Sequence, residues 1–138
     1  MFFFNKCIVA CRTLTSSKAL GADLPNTTAI SLDVNNAEAL EAAVAAHDLV
    51  ISLIPYTYHA TVIKAAIKGK TNVVTTSYVS PAMRELDAEV KAAGIVVLNE
   101  IGLDPGIDHL YAIKTIDEVH EKGGKVNFTA HIFSATRI

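Results

Sequence analysis

Short apolar, β-branched runs alternate with segments of helical period along this chain, and few folds accept that alternation. The runs are CIVAC (7–11), AISLDV (29–34), LVISLI (49–54), NVVTTSY (72–78) and GIVVLNEI (94–101). Each is nearly all apolar at its centre, as strands covered on both faces are. Helical period marks roughly 15–22, 36–46, 59–68 and 81–93. Asn35 followed by Glu38 resembles a capping box for the second of these. Ser80-Pro81 supplies an N-cap and a proline at the first helical position, and Gly94 supplies the stop. A fifth helix is predicted from Asp104-Pro105 to Gly123-Gly124, with Leu110, Ile113, Ile116 and Val119 as its apolar stripe. A last strand, KVNFTAHIF, has the least regular pattern.

Strand and helix in repeated alternation mean a parallel sheet with right-handed crossovers. The 138 residues suffice for one domain. Hydrophobic residues make up 51% and charged residues 19%, which fits a buried α/β core and not a disordered chain. A formal net charge of −2 offers no basic field for nucleic acid. No apolar run has the length that a membrane helix needs. The start, MFFFNKCIVAC, is a poor signal peptide, because its only early cation, Lys6, follows the phenylalanines. Cys7 and Cys11 share one strand face but lie too far apart along it to bond. They read as free thiols of a reducing, cytoplasmic compartment. Neither they nor His47, His120 and His131 have metal-ligand spacing with a carboxylate pair.

In such sheets, ligands sit beyond the carboxyl ends of the strands. Arg12-Thr13, Asp33, Ile54-Pro55-Tyr56, Ser77-Tyr78 and Gly102-Leu103-Asp104-Pro105 stand at those ends. Where a dinucleotide binds, the end of the second strand meets the adenosine ribose. An acidic residue there reads the 2′-hydroxyl, whereas an arginine suits a 2′-phosphate. Arg12 is either that arginine or a solvated strand-end residue, and Asp33 either orients an adenine or makes a turn. Glycines at 21, 69, 94, 102, 106, 123 and 124 form no phosphate-cradling fingerprint. The chain therefore reads as beginning at the second strand of a truncated, Rossmann-like, doubly wound parallel sheet. An arginine after the first strand argues against a receiver module, which places acidic residues there.

The segments VACRTL, ISLDV, HDLVISLIPYTYHATVIKAAI, VVTTSYVSPAMRELD and NEIGLDPGIDHLYAIKTIDEVHEKGGK resemble the saccharopine reductases, the NADP-dependent, glutamate-forming saccharopine dehydrogenases of lysine biosynthesis. The resemblance covers roughly Val9 to Lys125. It implies an oxidoreductase in which an NADPH hydride reduces the imine between aminoadipate semialdehyde and glutamate, giving saccharopine. It implies NADP(H) as cofactor, and a homodimer built through an inserted substrate domain. Carried over by motif, Cys11, Arg12 and Thr13 would hold the 2′-phosphate. Asp33 and Val34 would flank the adenine, and Ile54 would touch the cofactor. Thr76 and Ser77 would line the nicotinamide end, with Ser77 and Tyr78 also meeting saccharopine. Leu103, Asp104 and Pro105 would contact the cofactor, and Asp104 the substrate as well.

Asp104 also stands where an N-cap belongs, so a helix end would hold it ionised. Asp108 and His109 read as first-turn residues that complement the dipole or pack. Glu100 is open between an ion pair and the pocket lining. Tyr56 and His59 stand near the cofactor edge, with His59 read first as a helix-start residue.

Residues 1–125 read as a partial NADP-binding domain and 126–138 as a divergent tail. In the strand order 3-2-1-4-5-6, the opening strand is central. Either its two neighbours close the gap here, or a groove of unpaired backbone remains. The expectation for this chain alone is weak NADPH binding and no saccharopine synthesis. The alternative is a Rossmann fragment that binds a partner chain without catalysis.

Overall fold

A computed structural model describes residues 6–127. In chain order the elements are β1 (Cys7–Cys11), α1 (Leu14–Gly21), β2 (Thr27–Ser31), α2 (Ala37–Ala45) and β3 (Leu49–Ser52). A 3-10 turn at Tyr56–Tyr58 leads into α3 (His59–Gly69) and β4 (Asn72–Thr75). Then follow α4 (Pro81–Arg84), α5 (Asp87–Ala93), β5 (Val97–Leu98) and α6 (Ile107–Glu121). Every strand pairing is parallel, with Cys7 opposite Thr27, Leu49 opposite Asn72 and Val73 opposite Val97. The parallel α/β architecture read from the sequence holds. No helix among the described residues is long and apolar enough to cross a membrane.

The strands form two sheets instead of one: β1-β2, and β3-β4-β5. Among the described residues β1 and β3 do not pair, so these two strands do not close the gap foreseen between them. Strands expected to be covered on both faces are therefore only partly covered. Ile51 on β3 is 58% exposed and Leu98 on β5 is 51% exposed, whereas Val73 on the central β4 is 1% exposed.

The core sits between the second sheet and its helices. Along α3, His59, Val62, Ile63 and Ala66 recur at three and four spacing and are all buried. Val62, Ile63 and Ala66 cluster with Leu40 and Val44 of α2, Val73 of β4, and Met83, Leu86 and Ile95. Burying a side chain such as Ile63 contributes about 1.5–3 kcal/mol. Gly69 lets α3 approach α2 closely, since a Cβ there would lie 2.9 Å from the Cα of Ala45. The buried Thr71 hydroxyl donates to the Val44 carbonyl at 3.0 Å, which ties the end of α2 to the start of β4.

Local end signals hold in part. Ser80 caps α4 through its hydroxyl, which accepts from the Met83 amide, and Gly94 ends α5 at φ 71°. The single helix expected over 81–93 is interrupted at Glu85-Leu86. The cap of α2 is Asn36 and not Asn35: Asn36 accepts from the Ala39 amide, while Asn35 donates to Asp33. The predicted stripe on α6 is half uncovered, with Leu110 67% and Ile113 57% exposed while Ile116 and Val119 are partly buried. Residues 125–127 carry no regular structure. The rest of the expected last strand and tail, like the first five residues, lies outside the described residues.

Candidate functional site

Two groups of side chains stand at strand carboxyl ends. The first gathers where β1 and β2 finish. Cys11 is half-buried and its thiol, like that of Cys7, is free. The next residue, Arg12, is exposed. Thr13 caps α1: its Oγ1 accepts from the Ser16 amide at 3.4 Å and lies 2.8 Å from the Ser16 hydroxyl. The first turn of α1 carries no acidic residue. A guanidinium, two hydroxyls and a helix N-terminus are the groups that bind a phosphate monoester. The residues present thus fit the phosphate of a nucleotide cofactor. Ser31 donates to the Arg12 carbonyl at 2.9 Å, and the Leu32 amide donates to the Cys11 carbonyl at 2.8 Å, which joins the two strand ends. Asp33 accepts from both the amide and the side chain of Asn35. These bonds, and the charge of Arg12 nearby, hold its carboxyl below the usual range. Asp33 is therefore at once a turn residue and a fixed negative charge beside Arg12. Val34 is partly buried against the core.

The second group forms where the loops after β4 and β5 are laced together. The Ile101 amide donates to the Thr75 carbonyl at 3.0 Å, and the Glu100 amide to the Ser77 carbonyl at 3.2 Å. Glu100, at φ 65°, returns a carboxylate oxygen to the Val79 amide at 3.2 Å, so it braces the loop. Gly102 lies so close to Thr76 that a Cβ there would stand 2.7 Å from the Thr76 carbonyl oxygen. The result is direct contact across the loops: the Tyr78 hydroxyl donates to Asp104 Oδ1 at 2.6 Å. Thr76, Ser77, Tyr78 and Asp104 are thus brought together. Leu103 is exposed and Pro105 is buried, following a cis Asp104-Pro105 bond. Ile54 is partly buried against the core and Tyr56 is exposed.

Asp104 is not the cap of α6. That helix starts at Ile107 with Gly106 as its cap residue and no side-chain cap. Two of its orphan amides are satisfied by backbone: Ile107 donates to the Gly102 carbonyl at 2.9 Å and Asp108 to that of Leu103 at 3.0 Å. The Asp104 carboxylate is thereby left to Tyr78. Asp108 takes the first-turn place, accepting from the Gly106 amide at 2.9 Å and from His109 Nδ1 at 2.8 Å. Desolvation pushes the Asp108 carboxyl up, but the bonds from His109 and from backbone amides outweigh it and leave it lowered. The same bond raises His109 above the ordinary histidine range.

The bond to Asp104, with desolvation and the charges of Asp104, Asp108 and Glu100, pushes the Tyr78 phenol up to about 12. At neutral pH this phenol is a donor and not a base. Subtracting the alkaline absorbance titration of Tyr78→Phe from that of the parent chain should isolate a phenol ionising near 12. Asp104→Asn, which removes the main charge, should bring that midpoint down. A Tyr78 midpoint at the ordinary value of 10.0 in the parent would refute the contact.

One polar chain escaped sequence reasoning. His59 is fully buried at the start of α3, with Nδ1 2.9 Å from the Ser52 hydroxyl and Nε2 2.9 Å from the Ser77 hydroxyl. Only the first half of this chain has a local signal, a serine seven residues before a histidine across a tight turn.

The profile of the saccharopine dehydrogenase NADP-binding domain matches residues 2–98. A saccharopine dehydrogenase [NADP(+), L-glutamate-forming] of Pyricularia oryzae is 71% identical over 121 residues, 88% of this chain and 27% of the relative. The protein of the same description from Schizosaccharomyces pombe is 62% identical over 122 residues, again 88% and 27%. The solved apo saccharopine dehydrogenase (L-Glu forming) from Saccharomyces cerevisiae is similar at 60% identity and a TM-score of 0.75, covering 86% of this chain and 26% of its own. The chain thus spans about a quarter of the length of these relatives. The relatives' similarity extends past residue 98, so it takes in the Asp104 loop that the domain profile leaves out. On this profile and these identities, the chain belongs to the saccharopine dehydrogenase family and carries sequence of its NADP-binding domain.

Proposed function

We propose that this chain supplies the NADP(H)-binding part of a saccharopine reductase, an oxidoreductase interconverting saccharopine with glutamate and 2-aminoadipate 6-semialdehyde. The observation that carries this reading is the joining of the Ser77-Tyr78 loop to the Asp104 loop in a chain 71% identical to a relative of that description. In it, Cys11, Arg12 and Thr13 hold the adenosine 2′-phosphate, while Asp33 and Val34 flank the adenine. Ile54, Thr76, Ser77, Leu103 and Pro105 line the remainder of the cofactor path. The bound cofactor supplies or accepts the hydride, which needs distance and alignment more than an acid.

The chain's own groups orient the substrate. Asp104 accepts from an ammonium or from the secondary amine of saccharopine. Tyr78, held protonated, donates to Asp104 or to a substrate carboxylate. Neither role requires Tyr78 to lose its proton. Two free thiols favour a reducing, cytoplasmic compartment. The homodimer that the family resemblance implies would form through parts of the protein beyond this chain.

Amide chemical-shift mapping of the whole chain with NADP+ at millimolar concentration tests the reading. NADP+ should move the amides of Arg12, Thr13, Ser77 and Leu103, whereas NAD+ should move Ser77 and Leu103 but not Arg12 or Thr13. Shifts confined to other residues, or none, would reject it.

A further inference from the structure

The Ser52–His59–Ser77 chain carries information that its distances alone do not state. We propose that His59 is a positioning residue, held as the Nε2–H tautomer, which makes Ser77 a hydrogen-bond donor toward the cleft. The group that this proton serves is an acceptor oxygen, that of a carboxamide or a carboxylate. This rests on the reading above, in which Ser77 faces the nicotinamide end.

The argument is one of proton accounting. His59 has no exposed surface, and both its ring nitrogens bond to hydroxyls. Burial holds the ring below the ordinary histidine range, and its place at the start of α3 adds a positive dipole end that disfavours a cation. A neutral imidazole has one N–H and one lone pair. Two coherent arrangements follow. In the first, Nδ1–H donates to Ser52, Ser77 donates inward to Nε2, and Ser77 offers the cleft only lone pairs. In the second, Ser52 donates to Nδ1, Nε2–H donates to Ser77, and the Ser77 proton is free to turn outward.

Ser52 decides between them. It closes β3 at 4% exposure, and His59 is its hydroxyl's hydrogen-bond partner. The first arrangement leaves the buried Ser52 proton without an acceptor, at about 1–3 kcal/mol. The second leaves only the proton of the half-exposed Ser77, which water or a ligand can accept. The second arrangement therefore prevails, and it alone leaves Ser77 a proton to donate to a ligand acceptor.

Nitrogen NMR of the whole chain labelled in histidine, assigned against His59→Gln, reads the tautomer directly. At neutral pH, Nε2 should carry the proton and Nδ1 none. An Nδ1–H tautomer or an imidazolium would overturn the proposal. Two variants test the consequence for the ligand. In His59→Gln the amide reaches the position of Nε2 and can still donate to Ser77. In His59→Asn it reaches only toward Ser52. His59→Gln should keep NADP+ affinity within about threefold, and His59→Asn should lose about tenfold while Arg12 still responds. Equal losses in two folded variants would overturn the proposal. Should NADP+ leave Ser77 untouched in the parent chain, the functional reading fails, and the tautomer still judges His59 by itself.

Discussion

Arg12→Ala lowers the affinity of this chain for NADP+ by about tenfold to a hundredfold and leaves NAD+ binding unchanged. The magnitude follows from losing charge-assisted hydrogen bonds to a phosphate, about 1.5–3 kcal/mol. Nothing else in that group replaces the cation. Thr13 and Ser16 offer hydroxyls and α1 offers its N-terminus, but Asp33 keeps a negative charge beside the same spot. With Arg12 gone, that carboxylate repels a 2′-phosphate and does not repel a 2′-hydroxyl. Asp33→Asn in the Arg12→Ala background should therefore recover part of the loss. Arg12→Lys should fall between, since an ammonium restores charge without the planar fork. Shift titrations with both cofactors measure all four chains. Equal losses for NADP+ and NAD+ would mean that Arg12 does not read the phosphate.

Gly106→Ala opens the Asp104 loop. Gly106 sits at φ 145°, a region that L-residues rarely adopt, and pairs with Gly102 in an isolated parallel bridge. A Cβ there would run into the Gly102 carbonyl oxygen and stand 2.6 Å from its amide nitrogen. Both obstacles are backbone and cannot rotate away. Strained dihedrals alone cost about 1–3 kcal/mol, and the collision adds to that. The bonds from Ile107 to Gly102 and from Asp108 to Leu103 should fail first, so those two amides exchange about a hundredfold faster. Tyr78 reports the same event, because its phenol loses Asp104 and falls back from about 12. Gly94→Ala is the control: its φ is 71° but no atom lies within 4 Å of the new Cβ. It should cost about 1 kcal/mol and leave Tyr78 unmoved. If the two variants behaved alike, the close approach of Gly106 to Gly102 would not hold the loop.

The parallel α/β class, the start of α4, the end of α5 and the polar residues at the strand ends were legible in residue order, because each depends on neighbours a few positions away. Apolar centres, Ser80-Pro81 and Gly94 act within one turn of chain. The capping of α2 shows the limit of that reach. Asn35 and Asn36 are equal candidates by type, and the choice fell to Asp33, which took Asn35 and left Asn36 to the helix. The cap expected of Asp104 failed for a related reason. Carbonyls of Gly102 and Leu103, folded back through the loop, reached the helix amides first.

What residue order alone determined is where polar groups stand along each strand and which helix face is apolar. Only the tertiary structure decided what meets what. Two sheets in place of one and the half-uncovered stripe of α6 were settled by what packs against each, and the Tyr78–Asp104 and His59–Ser77 bonds join segments far apart in sequence. Periodicity records that a surface is suited to burial, whereas burial itself needs a second surface. A hydrogen bond across loops depends on where two backbones are carried by everything packed beneath them.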